Sequence, residues 1–142
     1  MKTTLAALSL SIIATSAFAA GEGPGSHFVE NWDLNEDGKV TLAEATERRD
    51  DVFVTFDADD NGVLSPEEYD LFDEARANDM KENGMGHGKG HNNPANGMLR
   101  KFTDANNDGS VTHQEFMAAV PDWFARMDKN GDTVVTVDDF GR

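Results

Sequence analysis

No cysteine occurs among the 142 residues. That excludes disulfide staples and thiolate metal sites, and leaves oxygen donors to carry any metal chemistry. Basic residues are scarce as well: 12 Lys and Arg stand against 27 Asp and Glu, a formal charge of −15. A nucleic-acid partner is not expected, because binding a phosphate backbone needs a positive face. A compact body this acidic repels itself unless cations neutralise part of the charge. The length suits one small domain or two half-domains.

Long apolar runs are also lacking. The run from Leu5 to Ala14 is too short to cross about 30 Å of hydrocarbon. Residues 1–19, MKTTLAALSLSIIATSAFA, combine Lys2, that apolar stretch and the small-x-small string Ala17-Phe18-Ala19. The pattern predicts a signal peptide, with the mature chain periplasmic or secreted and no membrane anchor after cleavage.

What is present is a repeat. Four twelve-residue segments align: DLNEDGKVTLAE (33–44), DADDNGVLSPEE (57–68), DANNDGSVTHQE (104–115) and DKNGDTVVTVDD (128–139). The first three have oxygen side chains at positions 1, 3 and 5, Gly at 6, an aliphatic at 8, a hydroxyl at 9 and Glu at 12. This resembles the calcium-binding loop of the EF-hand superfamily, and the four-loop plan resembles that of calmodulin.

The residue types suit a hard cation that takes six to eight oxygens. The expected ligands of the first loop are Asp33, Asn35, Asp37, the Lys39 carbonyl and bidentate Glu44. Those of the second are Asp57, Asp59, Asn61, the Val63 carbonyl and Glu68. In the third they are Asp104, Asn106, Asp108, the Ser110 carbonyl and Glu115. Gly38 allows the sharp positive-φ turn. Thr41 to Glu44, Ser65 to Glu68 and Thr112 to Glu115 read as capping boxes that place position 12 in the first turn of the exit helix.

The fourth loop offers Asp128, Asn130, Asp132, the Val134 carbonyl and Asp139, but departs twice from the pattern. Thr133 replaces glycine, and a β-branched residue at positive φ costs about 1–3 kcal/mol. Asp139 replaces glutamate and is one methylene shorter. Only Phe140, Gly141 and Arg142 follow it here, so no exit helix is expected. Three strong sites and a weaker fourth are predicted.

The predicted fold class is all-α. Two EF-hand pairs, residues 26–77 and 98–142, are expected to be joined by a flexible Gly/Asn/His linker over 78–97. Within each pair adjacent loops are expected to bridge, Val40 to Leu64 and Val111 to Val135. Phe28, Val29 and Trp32, and Val52, Phe53 and Phe56, recur at helical spacing and read as core.

Twelve-residue connectors, 45–56 and 116–127, resemble those of lanmodulin, an EF-hand family that selects lanthanides. The first has no Gly or Pro and should run unbroken; Pro121 should split the second near Val120. The loops lack that family's proline at position 2 and aspartate at position 9. Three carboxylates with a neutral Asn favour calcium over a trivalent ion, with lanthanide ions as the alternative.

In the linker, His87 and His91 with Met80 and Met85 could suit a softer metal, but a glycine tether is poorly preorganised, so a solvated tether is expected. The organised acids are committed as ligands. With no nucleophile-plus-base arrangement and no phosphate-binding loop, no enzyme is expected. Metal ions are the expected partners, with a calcium-dependent protein partner beyond them; methionine placement does not separate buffer from sensor.

Overall fold

The computed structural model describes residues 23–82 and 97–140. The expected signal peptide and the linker residues Met85, His87 and His91 lie outside them. Helix α1 (Ser26–Trp32) leads into the first loop, followed by β1 (Val40–Thr41) and α2 (Leu42–Phe56). The second loop contributes β2 (Val63–Leu64) and leads to α3 (Pro66–Glu82). Beyond the linker come α4 (Arg100–Thr103), β3 (Val111–Thr112), α5 (His113–Ala118), α6 (Val120–Met127), β4 (Val134–Val135) and a 3-10 turn at Val137–Asp139. The described residues are thus mostly helical, with two small two-stranded sheets among them. Among the described residues no helix is long and apolar enough to cross a membrane.

Local chemistry explains most boundaries. Helix α2 has no Gly or Pro and runs unbroken; Thr41 caps it reciprocally with Glu44. The second connector divides at Ala119, and Pro121 sits in the first turn of α6, where its missing N–H has no intrahelical partner to lose. The expected linker begins later than Asn78, because α3 continues to Glu82: Asn78 to Glu82 contains neither Gly nor Pro, so nothing stops the helix there. At the other end Met98 is buried, and a Cβ on Gly97 would come within 2.2 Å of the Trp123 ring.

The loop pairing differs from expectation. Val40 pairs with Val135, not Leu64, and Leu64 pairs with Val111. Loops one and four therefore form one antiparallel bridge, and loops two and three the other. The reason is mechanical. At 1.5 Å per residue, a rod the length of α2 is about 22 Å long. It holds loops one and two at opposite ends, too far apart to share a two-residue sheet, and α5 and α6 separate loops three and four in the same way. Each loop must find its partner in the other half of the chain.

Crossed pairing produces one continuous core rather than two. All four bridging aliphatics, Val40, Leu64, Val111 and Val135, are fully buried. Between them lies an aromatic cluster drawn from both halves. Phe28 stacks on Trp32 with centroids 5.5 Å apart, meets Trp123 edge-on at 6.0 Å and touches Phe140 at 5.6 Å. Phe53 packs on Phe116 at 5.5 Å, and Phe116 on Phe72 at 5.9 Å. Phe140 also lies against Gly25, where φ is +83° and a Cβ would come within 2.1 Å of the ring. The last described residue is thereby tied to the helix leading into loop one. Tyr69 fastens the halves elsewhere: its buried hydroxyl donates to the Met98 carbonyl at 2.6 Å and lies 2.7 Å from the Thr103 hydroxyl.

Candidate metal centre

In each loop a ladder of backbone N–H groups holds the position 1 carboxylate. Asp33 accepts from the N–H groups of Asp37 and Gly38, Asp57 from Asn61 and Gly62, Asp104 from Asp108 and Gly109, and Asp128 from Asp132 and Thr133, all at 2.7–3.2 Å. Position 3 accepts from the position 5 N–H: Asn35, Asp59, Asn106 and Asn130 do so at 2.8–3.2 Å. Position 5 accepts from position 7, where Lys39, Val63, Ser110 and Val134 donate their N–H groups to Asp37, Asn61, Asp108 and Asp132. All the expected side-chain ligands are therefore oriented by their own loop before any ion is considered.

Position 12 closes the ring. One Glu68 oxygen accepts from the Ala58 N–H at 2.8 Å, across the loop, and the other from the Ser65 N–H at 2.9 Å. Glu44 makes the corresponding bonds to the N–H groups of Asn35 and Thr41, and Glu115 accepts from the Thr112 N–H and hydroxyl. Asp57, Asp59 and Glu68 each offer a carboxylate oxygen within 4.8 Å of the other two. Hard oxygen donors converging at that spacing fit a single hard cation such as calcium.

The family model for the EF hand matches residues 49–73 and 101–121, which contain loops two and three with the helices beside them. These two segments are similar to the EF hand. Neither curated proteins nor solved structures give a match. The two matched segments are the two that pair through β2 and β3; loops one and four lie outside the matched ranges and share the other sheet. A further link joins the matched pair, since the His113 N–H donates to the Gly62 carbonyl at 3.1 Å.

The fourth loop is less damaged than its sequence implies. Asp139 reaches across to the Lys129 N–H at 3.0 Å and back to the Thr136 N–H at 2.8 Å, the same two-way closure that Glu68 makes. The one-turn 3-10 helix at Val137–Asp139, not expected from the sequence, brings the shorter side chain inward, and Asp139 is buried. The backbone conformation is kept too. Position 4 as well as position 6 is left-handed in every loop: Glu36, Asp60 and Asn107 have φ of 55–59° and Gly131 has 73°. In loop four the glycine has moved from position 6 to position 4, leaving Thr133 at φ 73°. The left-handed position 4 was missed in the sequence, although Gly131 was the visible signal for it.

Electrostatics favour the ionised loops. Hydrogen bonds from the Thr112 backbone first, then its hydroxyl, hold the Glu115 carboxyl below its ordinary value of 4.5. The Ser65 N–H does the same for Glu68. For Glu44 burial is the largest influence and raises the value, but bonds from the Thr41 N–H and hydroxyl and the N–H groups of Asn35 and Leu34 together outweigh it. A depressed folded value means that the contribution to stability is complete above the unfolded value and is lost as pH falls through the folded one. Loop closure should therefore be independent of pH above about 5 and fail progressively below about 4.5, the reference value of these carboxyls; a pH titration of near-ultraviolet circular dichroism checks this.

Thr133→Gly should remove the left-handed strain, stabilising the fourth loop by about 1–3 kcal/mol. Because β4 pairs with β1, the benefit should pass to loop one rather than loop three. In a metal titration followed by NMR, the Gly38 amide should respond at lower metal concentration, with Gly109 unchanged; the reverse order would contradict the pairing.

Proposed function

We propose that this is an EF-hand protein that binds calcium outside the cytoplasm, with loops one to three as the principal sites and loop four as the weakest. The convergence of Asp57, Asp59 and Glu68 carries the reading. Each of the first three loops supplies three carboxylates and one neutral Asn among its side-chain ligands. That charge balances a divalent ion well and leaves a trivalent ion less fully compensated. The paired sheets support cooperative filling within loops two and three and within loops one and four, because ordering one strand presents a formed edge to its partner.

Calorimetric titration of the full chain with calcium should show at least two sites tighter than about 1 mM, the weak end of EF-hand affinity. Glu68→Gln should abolish binding at loop two and weaken loop three through the shared sheet. Fewer than two such sites in the unaltered chain would sink the proposal, and a lanthanum preference of many orders of magnitude would transfer it to lanthanide ions.

The extracytoplasmic location is supported by the charged start, short apolar core and Ala17-Phe18-Ala19 string of residues 1–19. Protein recovered from the exported fraction should begin at Ala20, as read by N-terminal sequencing; recovery of the intact chain from the cytoplasm would refute export.

A further inference from the structure

Arg49 lies near the middle of α2 and is completely buried. Its guanidinium carbon is 4.4 Å from the Phe116 ring centre and 5.0 Å from that of Trp123. Nε, Nη1 and Nη2 are all shielded from solvent and have no hydrogen-bond partner among the described residues. Among the described residues it forms no ion pair with a carboxylate. Burial pulls its pKa down to about 10, helped by the nearby Arg76 charge and opposed by Tyr69, so at neutral pH it still carries its proton.

A guanidinium has five N–H donors, each hydrated when the chain is open. Two aromatic faces return only part of that hydration. The position of Arg49 makes this cost conditional. Helix α2 runs from Glu44 of loop one to Asp57 of loop two, while Phe116 and Trp123 stand on α5 and α6, between loops three and four. Arg49 is dehydrated only when the two halves cross and both sheets form, the arrangement in which the acidic loops are also brought together.

We propose that Arg49 makes closure of the core dependent on the cations held in the loops, by placing an uncompensated charge where the two connectors cross. The inference rests on the calcium reading above. An aliphatic side chain at this position would let the core close with the loops empty. With Arg49 in place, the free energy of ion binding must offset its dehydration, so the folded population follows the ion concentration.

The test uses the full chain with Arg49→Met, which keeps length and apolar bulk without charge, and Arg49→Lys, which keeps the charge. Calcium-dependent closure is followed by tryptophan fluorescence and far-ultraviolet circular dichroism, and urea unfolding is measured in chelator. Arg49→Met should lower the calcium midpoint about tenfold or more, as replacing a buried charge by a packed apolar group can do, and raise the urea midpoint in chelator. Arg49→Lys should need at least as much calcium as the unaltered chain. A raised calcium midpoint or a lowered urea midpoint for Arg49→Met would overturn the proposal, as would Arg49→Lys behaving like Arg49→Met. An unaltered chain with no response to calcium would refute the calcium reading itself, while the urea comparison would still report the effect of Arg49 on core stability.

Discussion

A helix the length of α2 cannot bring its two ends together, and the rest of this molecule follows from that constraint. Loops one and two are fixed at opposite ends of one rod, and loops three and four are separated by the broken rod of α5 and α6. Single EF-hand loops leave a strand edge and an aliphatic side chain unsatisfied. With the adjacent loop out of reach, the chain crosses its halves, and Val40 meets Val135 while Leu64 meets Val111. The core becomes one body shared by both halves, with Trp123 and Phe140 packed against Phe28 from the far end of the sequence.

This arrangement couples sites along two kinds of path. Within a sheet, coupling passes through backbone hydrogen bonds and the buried position 8 pair. Along a connector it passes through the helix, since Glu44 occupies the first turn of α2 and Asp57 caps its other end. Four loops joined alternately by sheets and rods form a closed circuit, in which the rod between loops three and four is broken at Ala119 and couples its two ends least. Arg49 lies inside this circuit against Phe116 and Trp123. Acidic loops at the surface and a dehydrated cation at the centre both oppose closure.

Within each loop the design is local and repeats with little variation. The position 1 carboxylate accepts two backbone N–H groups, position 12 reaches across to the loop's beginning, and two residues adopt left-handed conformations. Loop four shows how much substitution this scheme absorbs. Its glycine stands at position 4 instead of 6, and its closing acid is shorter, yet the N–H ladder and the cross-loop bond survive. Partnership with loop one supplies what its own residues do not: β1 fixes β4, and Phe140 anchors the end against Phe28 and Gly25.

The sequence by itself determined the loops, their oxygen donors, the capping boxes, the break near Pro121 and the apolar faces around Phe28 and Phe53. All of these depend on residues within a few positions of one another, where spacing and chemistry are legible. It also held the length of the first connector, from which the separation of loops one and two could be calculated. Only the tertiary structure decided which loops pair, because a position 8 aliphatic is complementary to any other, and the choice rests on distances set by whole helices. The burial of Arg49, the inward turn of Asp139 and the bonds from Tyr69 to Met98 and Thr103 were likewise settled there. Each joins residues far apart in the chain, or depends on a turn that such contacts hold in place, and no local pattern encodes which distant surface a side chain will meet.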